Sequence, residues 1–186
     1  MSTAPSYNDL FVTITGQHGH LRALLEEVAH LKGQQRLDAL DLVRAHLAAH
    51  EAMEQGWIHP MAAARLADGE GHPGDVDNRL IEERDAGIVL DRLRDLPVDS
   101  PLFDVQYALF QESVVHHAKD EEDRELPLLG THRELEDRIT QALRVAAHVG
   151  EVGDGILQAA SNQPFVRSVS EARHELERLV VASVAQ

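Results

Sequence analysis

The sequence predicts an all-α protein of four core helices followed by a helical tail. Apolar residues recur at alternating steps of three and four wherever the pattern is informative, and no segment alternates as a strand would. Breaks rich in Gly and Pro separate the periodic stretches. A chain of 186 residues is long enough for one domain with a sizeable core, which is expected over two very small ones.

Taken in order, Asn8 or Asp9 is expected to cap a first helix that runs to about Leu31 and ends at Gly33. Its stripe reads Phe11, Ile14, His18, Leu21, Leu25, Val28. The second helix covers roughly Gln35 to Leu66, disturbed at Pro60, with the stripe Leu40, Val43, Leu47, His50, Glu54, Trp57, Met61. Gly69, Gly71, Pro73 and Gly74 mark a loop. A third helix follows from about Asp77 to Leu96, and its apolar pattern is diffuse. Ser100 and Pro101 suit the cap and first turn of a fourth helix, which reaches Pro127 with the stripe Phe103, Tyr107, Phe110, Val114, His117, Glu121, Leu128. A fifth helix to about His148, a Gly-rich break from Gly150 to Gly155 and a last helix from about Pro164 to Ala185 make the tail.

Charge and composition narrow the function. The chain carries 17 Lys+Arg against 32 Asp+Glu, a formal charge of −15, which repels nucleic acid phosphates and anionic membrane surfaces. No nucleic acid or membrane partner is expected. No run approaches the ~20 apolar residues of a membrane span, and the first residues lack a cationic stretch followed by an apolar core. A cytoplasmic location is expected. Without cysteine, any metal site is left to imidazole and carboxylate.

One pattern occurs twice. His50-x3-Glu54-x5-Pro60 returns as His117-x3-Glu121-x5-Pro127, and 117−50, 121−54 and 127−60 all equal 67. His and Glu four apart share a helix face, so imidazole and carboxylate can reach one ion. Both pairs fall on apolar stripes, and His18 falls on a third. A core that collects such groups needs a compensating partner. A cation is the simplest.

With these motifs the sequence resembles the hemerythrins, in the bacterial form with an HHE cation-binding domain. Gln17-His18 resembles the family's first-helix motif, His50 to Glu54 through His59-Pro60 the second, and His117 to Glu122 through Pro127 the fourth. The resemblance implies an antiparallel up-down four-helix bundle around two non-haem iron ions. It spans about residues 7 to 130, so residues 1–130 are expected to form the metal-binding domain and residues 131–186 a C-terminal helical extension packed on it. The implied ligand set has His18, His50 and His117 as terminal ligands and Glu54 and Glu121 as bridges. On the third helix, relatives typically present Glu-Glu-His where this chain has Glu82-Glu83-Arg84. Arg84 cannot ligate a cation, and Glu83, which precedes Ala86, Leu90 and Leu93 by steps of three and four, is the candidate replacement, with Arg84 turned outward. Gln55 stands where a second glutamate is common. His46, one turn before His50, either adds a ligand or occupies a polar edge.

The remaining polar residues have plainer readings. His20, His30, His72, His132, His148 and His174 are taken as surface residues, His59 and His116 as neighbours of the site, and Glu51, Glu122 and Glu125 as solvated. Tyr107 and Trp57 are read as core and not as redox relays. Glu-x-x-His also occurs at Glu27–His30 and Glu171–His174, the signature of ferritin-like bundles. Both copies lie off the stripes.

The donor set suits iron, with manganese or zinc possible at the same ligands. Five groups cannot fill two six-coordinate ions, which leaves room for dioxygen, peroxide or nitric oxide. Three functions follow: a protein that binds dioxygen or a related molecule, an oxygen-activating oxidase or oxygenase of unknown small-molecule substrate, and an iron storage or sensing protein with one degenerate site.

Overall fold

The computed structural model describes residues 5–72, 74–130 and 133–184, and every regular element among them is helical. Helix α1 (Tyr7–His30) begins at a cap the sequence reading placed too late. Ser6 and Asp9 form a reciprocal capping box: the Ser6 N–H donates to Asp9 Oδ2 at 2.9 Å, and the Asp9 N–H donates to Ser6 Oγ. Two otherwise unpaired donors are satisfied at once.

Helix α2 (Gly33–Met53) is followed by a π-helical turn, Glu54–Ile58, and then by α3 (His59–Ala67). The expected disturbance at Pro60 therefore begins six residues earlier, and Pro60 itself sits in the first turn of α3. The His59 N–H reaches back to the Glu54 carbonyl, so the widened turn takes up one extra residue just ahead of the proline. Helix α4 (Asp75–Asp95) buries Val76, Arg79, Glu83, Ala86, Leu90 and Leu93, a regular stripe hidden in the sequence because two of its members are charged. Helix α5 (Pro101–Asp120) starts at the expected Ser100 cap, whose Oγ accepts from the Phe103 N–H. It too runs into a π-helical turn, Glu121–Glu125.

Helix α1 packs on α2 and α5, and α4 packs on α5 and α2. The tail supplies α6 (Glu136–Ala146), α7 (Val149–Ala160) and α8 (Phe165–Val184). The expected Gly-rich break at Gly150 to Gly155 is instead the first half of α7. Its glycines permit close packing: a Cβ on Gly153 would stand 2.8 Å from the His46 ring and 3.2 Å from the His46 Cα. Helices α7 and α8 lie along α2, which explains why that helix is buried without interruption from Val43 to Met53. Arg44 ties these layers together, donating to Asp91 Oδ1 at 2.8 Å and to the carbonyl of Gln163 at 3.0 Å. No helix among the described residues is long and apolar enough to cross a membrane.

Candidate metal centre

The two π-helical turns begin at Glu54 and Glu121, the acidic members of the duplicated motif. Each carboxylate thus leaves an α-helix at its last regular turn, with its histidine one turn before it. His50 Nε2 lies 3.1 Å from Glu54 Oε1, and His117 Nε2 lies 3.2 Å from Glu121 Oε1. From α1, His18 Nε2 reaches both carboxylates, at 3.6 Å from Glu54 Oε1 and 3.3 Å from Glu121 Oε2. Glu83 enters from α4. Ligand atoms of His18, His50, Glu54 and Glu121 lie within 4.8 Å of one another, and so do those of Glu54, Glu83, His117 and Glu121. The two sets share Glu54 and Glu121.

The outward nitrogen of each imidazole is fixed by a partner. His18 Nδ1 donates to Glu122 Oε1 at 2.8 Å, His50 Nδ1 to Gln17 Oε1 at 2.9 Å, and His117 Nδ1 to Glu82 Oε2 at 2.9 Å. With Nδ1 engaged by an acceptor, Nε2 is the nitrogen left to face a cation, the arrangement a metal ligand requires. Gln17 is itself held, its amide donating to the Ala146 carbonyl at 2.9 Å.

These atoms fit a cation and fit each other poorly without one. His18 Nε2, His117 Nε2, Glu54 Oε2, both carboxylate oxygens of Glu121 and Glu125 Oε2 are buried with no hydrogen-bond partner. Each such group costs about 1–3 kcal/mol when left unsatisfied. Donors that ring a common ion at about 2.1 Å stand roughly 3 Å apart and aim at the ion, not at one another. The contacts of His18 and His117 have that character.

The electrostatics agree. Burial disfavours ionised Glu54, yet His50 and His18 hold its carboxyl well below the usual range. Burial and Glu54 both oppose ionised Glu121, but His117 and His18 prevail and its value is also lowered. Burial works against charge on the rings as well, and the carboxylates reverse it: Glu121 and Glu54 raise His18 to about 10, and Glu121 with Glu82 raises His117 to about 11. Protons on His18 and His117 therefore stand in for the cation in the metal-free protein.

The model for the hemerythrin HHE cation binding domain matches residues 9–129. The chain belongs to this family. No curated protein and no solved structure gives a significant match. An HHE domain binds cations, and the buried His and Glu groups of this chain fit such a site.

Within this hemerythrin-like site, Glu83 is buried and Arg84 is 66% exposed, bonded to Asp85. Three acidic residues read as solvated are not. Glu51 and Glu125 are buried, and Glu122 is mostly covered by its bond to His18. Glu51 lines a narrow cavity of about 10 Å³ with His18, His50, His117, Leu21 and Leu47. Burial and the nearby Glu83 push its carboxyl well above the usual range. His59 is buried, its Nε2 donating to Glu83 Oε1 at 2.7 Å and its Nδ1 to Glu125 Oε1 at 2.6 Å. The π-helical turn places it there, by shifting the inward position five residues beyond Glu54 in place of the half-buried Trp57. No periodic pattern could have found it.

Other histidines stand apart from the centre. His46 is buried against Asp154, and His116 is exposed. His20, His30, His72 and His174 are exposed and His148 is half-buried, while His132 lies outside the described residues. Glu27 and Glu171 are exposed with their partner histidines, away from the donor sets. Tyr107 is core: its hydroxyl donates to the Leu25 carbonyl at 2.6 Å and its ring stacks on Phe103.

Proposed function

We propose that this chain is a non-haem di-iron protein that binds or reacts with dioxygen, or with a related molecule such as peroxide or nitric oxide. The observation behind the reading is the pair of donor sets sharing Glu54 and Glu121. In this reading His18 and His50 would hold one ion and Glu83 and His117 the other, with Glu54 and Glu121 available to both. Helices α1, α2, α4 and α5, within residues 1–130, act as an antiparallel up-down bundle, and residues 131–186 as an extension that shields α2. A cytoplasmic setting suits the acidic surface. Manganese or zinc would fit the same donors.

Ferrous iron so held supplies an electron source for a small oxidant. The chain's own residues do the rest. Glu122, Gln17 and Glu82 orient the three imidazoles. Leu21, Leu25, Leu47, Val114 and Ala118 wall the cavity of about 10 Å³ beside them and disfavour water there. Burial raises the affinity of Glu51 for a proton at the cavity wall. A second reading, an oxygen-activating oxidase, is favoured by Glu83, because an anionic donor in place of a neutral imidazole stabilises the more oxidised cation.

The test is anaerobic loading with ferrous iron, a count of iron per chain, and spectroscopy on adding air. About two irons with dioxygen recovered on evacuation support binding, and consumed dioxygen supports the oxidase. A single iron that ignores dioxygen would leave storage or sensing. No specific iron would overturn the reading.

A further inference from the structure

The duplicated motif repeats in its supporting residues as well as in its ligands, with the chemistry inverted in one copy. The residue after each bridging glutamate does the same job: 55+67 is 122, so Gln55 and Glu122 are equivalent positions. Glu122 follows Glu121 and accepts from His18 Nδ1, holding the site residue supplied by α1. Gln55 follows Glu54 and donates from Nε2 to Glu83 Oε2 at 2.7 Å, holding the site residue supplied by α4. An imidazole N–H needs an acceptor, and a carboxylate needs a donor. Glutamate supplies the first, and the amide of glutamine supplies the second.

The first copy adds another donor. His59, just beyond the π-helical turn that starts at Glu54, donates from Nε2 to Glu83 Oε1 and braces itself on Glu125. Its equivalent in the second copy, at 59+67, is Leu126, which is apolar. His59 differs from His18 and His117 in the aim of its ring. His18 Nε2 and His117 Nε2 have no hydrogen-bond partner, whereas both nitrogens of His59 are spent on carboxylate oxygens. It serves as the clamp on Glu83, and it also stands with Glu121 and Glu125 as a third group whose ligand atoms lie within 4.8 Å of one another. Both oxygens of Glu83 are therefore gripped by donors from one turn of chain, although a glutamate side chain with three rotatable bonds would otherwise wander.

We infer that Gln55 and His59 are positioning residues that make the α4 site specific for a carboxylate, so that Gln55 and Glu83 form one matched donor–acceptor pair. The inference rests on the reading of Glu83 as a ligand. Its prediction is a reversal that a merely structural role would not give. Gln55→Glu is nearly isosteric and sets one carboxylate against another, so the affinity of the weaker-bound iron should fall about ten- to a hundredfold. Gln55→Glu with Glu83→His restores the acceptor–donor match with both polarities exchanged. That pair should regain most of the lost affinity, while Glu83→His alone, facing two donors, should not.

The experiment titrates ferrous iron anaerobically into wild type, the two single variants, the double variant and Glu83→Ala, reading iron per chain and affinity, with circular dichroism confirming the helical fold of each. Loss of one iron in Gln55→Glu and its return in the double variant support the pair. Unchanged binding in Gln55→Glu, or a double variant no better than the singles, overturns it. Glu83→Ala separates the two levels: if it keeps both irons, the ligand reading itself fails. If it loses one while Gln55→Glu keeps both, only the clamp is wrong.

Discussion

His18 on α1 donates from Nδ1 to Glu122 Oε1 across 2.8 Å, so a residue beyond α5 sets the ring rotation of one on the first helix. The same carboxylate oxygen accepts from Arg22 at 3.0 Å, which holds Glu122 in place. Removing this acceptor frees the His18 ring while leaving Glu54 and Glu121 unaltered. Glu122→Ala is expected to weaken cation affinity by about ten- to a hundredfold while the helical spectrum is kept. Calorimetric titration with ferrous iron or zinc checks it, and affinity equal to wild type would show that the ring needs no support.

The metal-free protein should lose stability as pH rises. His18 and His117 have folded values near 10 and 11, above their usual 6.5. A group raised on folding contributes fully below its unfolded value, and the contribution is lost as pH climbs through the folded one. Between pH 7 and 9 the apo protein should weaken by on the order of 1 kcal/mol per pH unit or more. Loading with metal displaces those protons, so the loaded form should be flat in this window. Denaturant melts of both forms at the two pH values decide it.

Glu51→Gln should be nearly silent for cation content and should hold or raise stability at neutral pH. The carboxyl is buried beside Glu83 with its affinity for a proton raised, so an ionised Glu51 is penalised and a neutral amide escapes the penalty. Thermal melts and metal analysis check this. A loss of one ion would instead make Glu51 a ligand.

Arg84→Ala should change stability by less than about 0.5 kcal/mol, because the side chain is exposed and paired only with its neighbour Asp85. A large loss of iron in this variant would mean that the outward-facing description is wrong.

Gly153→Ala tests the packing of the C-terminal helices on α2. The added methyl meets the backbone Cα of His46 as well as its ring, and backbone cannot yield as a long side chain can. A destabilisation of about 1–3 kcal/mol is expected, read by denaturant midpoint. No loss would mean that α7 sits farther from α2.

Much of this centre is legible in the sequence because its candidate ligands follow helical rules. His18, His50, His117, Glu54 and Glu121 lie on apolar stripes, and stripes report which residues a straight helix turns inward. Glu83 is legible because it stands beside Arg84, which cannot ligate, and precedes Ala86, Leu90 and Leu93 by steps of three and four. His59 is legible only as a neighbour of the site, and its contacts, like the roles of Glu122 and Glu125, are not. His59 and Glu125 depend on π-helical turns that change the period just where it would have to be extrapolated, and Glu122 acts across the bundle on a residue 104 positions away. The tail misled the reading in another way. Gly150, Gly153 and Gly155 suggest a break, but α2 approaches too closely at Gly153 for a side chain to fit, so packing overrides propensity.

Iron bound per folded chain, in wild type and in the His50→Ala/His117→Ala variant after anaerobic ferrous loading and removal of loose metal, tests the account most directly. About two irons in the wild type and none in the variant, with both proteins helical, is the predicted result. A folded double variant that keeps its full iron would contradict the centre described here.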